Sequence, residues 1–284
     1  RQMCIRDRDA YYHVPNIFST NGFPPYSIFT CDAIWTNDKP HVIYGYAVVD
    51  SDCSLTMQAG TRVYLHKNAV LWVYQDGSLK INGTHMNEVT FQGDRLETEY
   101  KDVPGQWGKI WLSPLSKNNQ INWAIIKDGS IGIQVDTFPN GTTPTLIMSN
   151  TKILNMSAAC LYGQGSKIRA NNCVFANAGQ YTTALTIGGN YSFWHCTFAN
   201  YWNGGTRQTP SILINNWYKD IYKVPHSRSL DSAYFGNCII YGNLVNELAL
   251  DSAFGASFNY KFDHCLIRTD QSTSNGYHYE TVYV

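Results

Sequence analysis

Apolar and polar positions alternate along most of this chain with a period of two. The alternating runs are short and separated by turns rich in Gly, Asn, Ser and Asp. One phrase recurs: Asn172-Cys173-Val174-Phe175, His195-Cys196-Thr197-Phe198, Asn237-Cys238-Ile239-Ile240 and His264-Cys265-Leu266-Ile267. Two degenerate copies precede these, Asn122-Trp123-Ala124-Ile125 and Asn150-Thr151-Lys152-Ile153. The anchors at 123, 151, 173, 196, 238 and 265 are 28, 22, 23, 42 and 27 residues apart. Self-similarity at a spacing in the twenties predicts a coil repeated along an axis.

Each unit holds two further alternations. One follows the anchor, as in Ile131-Gly132-Ile133-Gln134-Val135, Leu161-Tyr162, Leu185-Thr186-Ile187, Ile212-Leu213-Ile214 and Leu248-Ala249-Leu250. The other precedes the next anchor, as in Leu146-Ile147-Met148, Ile168-Arg169-Ala170, Tyr191-Ser192-Phe193, Tyr234-Phe235 and Tyr260-Lys261-Phe262. No long window carries the i, i+3, i+4, i+7 spacing of an amphipathic helix. The expected fold is all-β, a single-stranded parallel β-helix with three strands per coil and roughly eight or nine coils, like side chains stacking inside it. The repeat fills residues 41–284 without a linker, so one elongated domain is expected, with residues 1–40 as an irregular lead-in. Within the lead-in, residues 1–8 alternate charge, match no unit and read as foreign to the fold. The closing Tyr277–Val284 alternation has no polar cap after it, so the solenoid is expected to continue or be capped beyond residue 284.

Twenty-one basic and 21 acidic residues balance to a formal charge of zero, which argues against a nucleic-acid or anionic-membrane partner. No run of 18 apolar residues exists to span a membrane. The eight Cys form no C-x-x-C pair, and four of them are the anchor position itself. They read as an inward ladder of thiols, because in-register side chains point the same way and reach the disulfide torsion poorly. His195 and His264 occupy the slot held elsewhere by Asn and read as turn residues, so no metal site is expected.

A resemblance rests on Ala59-Gly60-Thr61-Arg62-Val63-Tyr64, Gly77-Ser78-Leu79-Lys80-Ile81-Asn82-Gly83-Thr84, Val89-Thr90-Phe91 and Pro104-Gly105-Gln106-Trp107. The series resembles right-handed parallel β-helix repeat proteins with a pectin-lyase-like fold, and the match covers roughly residues 42–269. These are cell-surface or secreted proteins of Gram-negative, largely gut-dwelling bacteria. The resemblance implies right-handed winding and an extracellular or outer-surface location; it implies no particular reaction.

The phasing of the loops predicts a trough. Loops at Gly93–Gln106, Ala176–Thr183 and Ala199–Pro210 should rise on one edge of the second strand's sheet, and those at Asp136–Thr143, Asn215–Asp231 and Asp251–Ser257 on the other. The floor between them would present Trp111, Gln134, Tyr162, Thr186, Leu213 and Asp251 outward. Aromatic and amide groups along a trough suit an extended polysaccharide, with rings stacking on sugar faces; the competing reading is that the aromatics only ladder between coils. Trp202 on one edge, with Trp217, Tyr218, Lys219, Tyr222 and Arg228 on the other, are further binding candidates. The basic members of that second group would fit an acidic glycan.

Catalysis has less support. A lyase needs clustered carboxylates holding Ca²⁺ and a basic residue, and a hydrolase needs two close carboxylates. The floor offers one Asp, and neither Asp-Asp nor Gly-His-Gly stands anywhere in the chain. The loop with Asp94, Arg95, Glu97, Glu99 and Asp102 is the one place where a lyase or hydrolase could be assembled, and Ca²⁺ is expected only in that case; otherwise no cofactor is expected. The leading expectation is an exported, glycan-associated β-helix that binds or presents polysaccharide. A polysaccharide-cleaving enzyme and a structural surface stalk are the alternatives.

Overall fold

The computed structural model describes residues 31–136 and 143–284, with the strands Tyr12–Val14 and Tyr26–Ile28 upstream. Residues 1–8, and most of the loop expected over Asp136–Thr143, lie outside the described residues.

The described strands form three walls wound by one chain. Successive strands of each wall pair in parallel, each with the strand one coil later in sequence, with register shifts only at Tyr44–Tyr46, Gly189–Asn190 and Leu230–Ala233 among the described residues. The first wall, carrying the repeated phrase, is called the anchor wall. It includes Ala124–Lys127, Lys152–Met156, Val174–Ala178, Thr197–Asn200, Ile239–Gly242 and Leu266–Ile267. The floor wall includes Lys109–Leu112, Ile131–Asp136, Ala159–Gln164, Tyr181–Thr186, Ile212–Asn215 and Leu248–Asp251. These two walls join into a 17-stranded sheet because His41–Val49 and Arg62–Val73 run unbroken across their common corner. The third wall is a separate ten-stranded sheet, from Ala33–Trp35 to Tyr279–Glu280, so nine steps of the coil lie between its ends. The chain is a right-handed parallel β-helix. Paired strands also occur upstream of residue 41, with Tyr12–Val14 and Tyr26–Ile28 on His41–Val49 and Ala33–Trp35 on Ser54–Met57.

Inside, period-two alternation sends every second side chain to the core, and the parallel register stacks like on like. One inward row of the anchor wall is Val63, Phe91, Ile126, Ile153, Phe175, Phe198, Ile240 and Ile267, all fully buried. Phe175 and Phe198 stack at 5.0 Å, close to the coil spacing. On the third wall Phe193, Phe235, Phe262 and Tyr279 continue the same device at 4.9–5.6 Å.

The second inward row of the anchor wall holds Val89, Ala124, Thr151, Cys173, Cys196, Cys238 and Cys265. The four cysteines are free and buried, as an inward ladder requires. The first copy of the phrase departs from expectation. Ala124, not Trp123, pairs into this row, and Trp123 sits one residue earlier, half-buried and edge-on to His85 at 5.2 Å. Ile125 and Ile126 are both apolar, so local sequence allows either phase; pairing with Val89 and Lys152 chooses one.

The disulfide Cys31–Cys53, with Cα atoms 4.6 Å apart, falls outside the phrase and was not foreseen. It ties the turn before Ala33–Trp35 to the residue before Ser54–Met57.

Candidate functional site

The outward face of the floor wall carries two rows. Register places Trp72, Trp111, Gln134, Tyr162, Ala184, Leu213 and Ala249 in the first. The second holds Asp136, Gln164, Thr186, Asn215 and Asp251. Thr186 and Asp251 therefore lie in the row beside Trp111, Gln134, Tyr162 and Leu213, two residues further along their strands than a single-file floor requires. The alanines Ala184 and Ala249 take the first-row places in those coils.

Trp72 and Trp111 stack at 4.9 Å with their planes 10° apart, and Tyr74 meets Trp72 edge-on at 5.4 Å. A centroid distance equal to the coil spacing means the two indoles stand on the wall like plates, face to face. The face of Trp111 expected to meet a sugar is occupied by Trp72, and Lys109 Nζ lies 4.7 Å over the Trp111 ring. At this end of the floor the aromatics form a ladder, and polar groups hold it in place. Trp111 Nε1 donates to Asp136 Oδ2 at 2.7 Å, and Gln134 Nε2 donates to both oxygens of the same carboxylate at 2.9 and 3.0 Å. That orients the Gln134 amide so that Oε1 accepts from Lys109 Nζ at 2.6 Å. Burial pushes the Lys109 ammonium below its ordinary pKa, against the pull of Asp136. Lys109, Asp136, Trp72 and Gln164 belong to this surface and were missed by the sequence reading. Aligning Val70-Leu71-Trp72-Val73 with Lys109–Leu112 would have found Trp72 and Lys109.

Further along, the floor is more open. Gln164 Nε2 donates to the Tyr162 hydroxyl at 3.3 Å, and both side chains are half-exposed. Asn215 Oδ1 accepts from the Ile187 N–H at 2.9 Å, leaving the amide nitrogen on the surface, and Asp251 is exposed. Trp202 stands at the edge shared with the anchor wall, next to Gly204 and Gly179, and is half-exposed. Its loop is pinned from beneath. Buried Arg207 donates to Glu247 through Nη1 at 2.8 Å and Nη2 at 2.6 Å, and Glu247 also accepts from the Ser211 and Leu244 N–H groups. Ala176–Thr183, expected to rise on this edge, is instead nearly all strand, with only Gly179 and Gln180 between Val174–Ala178 and Tyr181–Thr186.

The opposite edge carries an antiparallel hairpin, Trp217–Lys219 with Pro225–Ser227, which accounts for the long anchor interval. Trp217 Nε1 donates to Asp251 Oδ2 at 2.9 Å, fixing the ring against the end of the floor row, with Lys219 Nζ 5.9 Å from its centroid. Tyr218 stacks on His226 at 5.3 Å, and Asp220 accepts from His226 at 2.8 Å. This contact holds the Asp220 carboxyl below the ordinary carboxylate pKa. Tyr222 is at the exposed tip, and the Arg228 N–H donates to the Asn216 carbonyl at the hairpin's base.

The 94–106 loop does not bring its carboxylates to the floor. It lies beside the anchor wall, and Asp94, Glu97 and Asp102 each meet a side-chain partner there. Asp94 meets His66 at 2.7 Å, Glu97 meets Arg95 at 3.4 Å, and Asp102 meets Lys127 at 2.9 Å. Asn155 binds the Asp102 carbonyl from the next coil. A hydrogen bond from its own backbone N–H holds the Glu97 carboxyl below its ordinary pKa, with help from Arg95. Glu99 is exposed. No group of three or more His, Cys, Asp or Glu able to hold a metal occurs among the described residues.

No protein-family model matches the chain, and no curated protein matches it in sequence. Two solved structures are similar to it in part. One is a tailspike protein, gp49 of Acinetobacter baumannii bacteriophage Fri1, a capsular polysaccharide depolymerase. It aligns with a TM-score of 0.41 at 11% identity, over 82% of this chain and 50% of the tailspike. The other is the catalytic domain of a GH87 α-1,3-glucanase in complex with tetrasaccharides, with a TM-score of 0.24 at 10% identity over 91% of this chain and 62% of that one. The chain thus spans half the length of the tailspike. No helix among the described residues is long and apolar enough to cross a membrane.

Proposed function

We propose that this β-helix is an exported, glycan-associated protein that binds or presents an extended polysaccharide along its floor wall. The observation that carries the reading is the outward polar row Gln164, Thr186, Asn215 and Asp251, one side chain per coil, between the Trp202 loop and the Trp217 hairpin. A parallel coil repeats about every 4.8 Å, so the row offers donors and acceptors at regular intervals along a straight line. A polysaccharide presents hydroxyls in the same one-dimensional way. Gln164, Asn215 and Asp251 use part of their hydrogen-bonding capacity internally and keep the rest for a ligand, whereas Thr186 is buried and donates its hydroxyl to the Gly163 carbonyl. Trp202 and Trp217, rather than the stacked Trp72 and Trp111, are the rings available to lie against a sugar. The Cys31–Cys53 disulfide supports export, since such bonds persist in oxidising compartments.

A glycan array read alongside an assay for unsaturated uronate and reducing-end release tests this. Binding without product is expected, and Trp217→Ala should weaken it at least tenfold, roughly 1.4 kcal/mol. Trp111→Ala should weaken it less, since that ring's face is already covered by Trp72. Product release would replace the binding role with an enzymatic one, and silence in both assays would remove the reading.

A further inference from the structure

Lys109 is a half-buried amine that the glycan reading leaves without a task. It stands beside the Trp72–Trp111 stack, and its partner is a neutral amide, with Nζ 2.6 Å from Gln134 Oε1 across the step between two coils. Asp136, the carboxylate whose charge pulls on Lys109, holds the other end of that amide, accepting from Nε2 at 2.9 and 3.0 Å. The order along this line is amine, carbonyl, amide nitrogen, carboxylate. A lysine and an aspartate away from bulk water gain most by meeting directly. Here the fold puts an amide between them.

The three groups are placed to react with one another. Gln134 and Asp136 are buried, so water has little access to the amide. Both carboxylate oxygens accept from Nε2, and Trp111 Nε1 donates to Oδ2 at 2.7 Å, so neither the amide nor the carboxylate is free to turn. Lys109 is the moving part. Its four-carbon stem is flexible, and the carbon to be attacked is one bond from the oxygen that Nζ already touches. Desolvation favours the uncharged amine, which is the nucleophile.

We infer that Lys109 and Gln134 become joined by an isopeptide bond that this site forms on itself, with Asp136 as the proton carrier. The Nζ lone pair adds to Gln134 Cδ, and the carbonyl electrons move onto Oε1. In the adduct Nζ and Nε2 share one carbon, so the carboxylate that holds Nε2 takes the Nζ proton and passes it to Nε2. The Cδ–Nε2 bond then breaks, the carbonyl re-forms and ammonia leaves. Starting from the ammonium form of Lys109, the products are a secondary amide and an ammonium ion, with no oxidation and no co-reactant. The bond staples two neighbouring coils of the floor wall beside the polar row.

The test is the intact mass of the full chain, reduced and denatured after purification. It should fall short of the sequence mass by one ammonia, and a tryptic digest should contain a branched peptide joining the segments around Lys109 and Gln134. Lys109→Arg keeps a cation and a donor for Gln134, but its guanidinium stays protonated and cannot attack, so this variant should show the full sequence mass. Asp136→Asn, which can still accept from Nε2 but carries no proton, should leave most chains unjoined. The inference is overturned if the wild type has its full sequence mass. It is equally overturned if the shortfall persists in Lys109→Arg, which would assign the lost ammonia to an Asn-Gly pair such as Asn203-Gly204. Complete joining in Asp136→Asn would remove the role given to Asp136. None of these readings depends on glycan binding.

Discussion

Five residues, Asn150, Asn172, His195, Asn237 and His264, turn the chain from the third wall into the anchor wall, each with φ between 51° and 54°. That is the left-handed region, which Asn and His enter at lower cost than most residues. The polar first letter of the repeated phrase is therefore a backbone requirement. Trp123 holds the same conformation, φ 52°, in the first copy, and Gly83 makes room for it, since a Cβ there would lie 2.0 Å from the Trp123 carbonyl oxygen. Another residue-scale consequence concerns His41, which is buried, stacked on Trp35 at 4.4 Å and close to the Thr36 carbonyl at 3.1 Å. Burial lowers its pKa below the ordinary 6.5, with the Thr36 carbonyl and Asp38 opposing. The unfolded chain then takes up this proton before the folded one does. The stability His41 contributes is complete above about pH 6.5 and is lost as pH falls from there through the folded value. Urea midpoints between pH 7.5 and 5 should fall more steeply for the wild type than for His41→Phe, which keeps the stack and cannot titrate; equal slopes would count against this account.

At the scale of elements, the Trp202 loop shows how an excursion from a regular coil is held. Arg207 and Glu247 are almost wholly buried, and the loop and the next coil's turn meet through them. Removing one partner of such a pair strands the other charge, at a cost of roughly 3–5 kcal/mol, whereas replacing both with apolar residues is often near neutral. Chemical denaturation should thus find Glu247→Leu strongly destabilised and Arg207→Met/Glu247→Leu less so, the remaining loss coming from the Ser211 and Leu244 N–H groups that Glu247 no longer accepts. Limited proteolysis of the single variant should cut within residues 201–210. On the other edge the Trp217 ring is tied to the floor through Asp251, while the hairpin's base is held separately by Asn216, so Asp251→Ala should loosen the ring and weaken glycan binding while barely changing the melt.

For the whole molecule, stability in a solenoid is a sum of coils and nearest-neighbour interfaces. Phe235 sits between Phe193 and Phe262, stacked on both at 5.0 and 4.9 Å. Phe235→Ala should cost about 3–5 kcal/mol. The damage should stay local. Hydrogen exchange is expected to accelerate in Leu230–Gly236, Phe258–Asp263 and Tyr279–Glu280, while Ser54–Met57 and Ser78–Asn82 keep their protection. Uniform loss along the axis would show a single cooperative unit instead.

The three-strand unit, the inward Cys and Phe rows and the absence of long helices among the described residues were all legible in the chain. Alternation with period two and turn chemistry are local properties, and a repeated phrase announces its own stacking. Other features depended on contacts between coils that are distant in sequence. Pairing with Val89 and Lys152 chose Ala124 over Trp123, and stacking on Trp72 covered the ring face of Trp111. A hydrogen bond to His66 and an ion pair with Lys127 hold the 94–106 loop at the anchor wall, and the fold brought Cys31 to Cys53. Register, the path of a loop and the pairing of a charge are each set by what the neighbouring coil presents, so only the tertiary structure decided them.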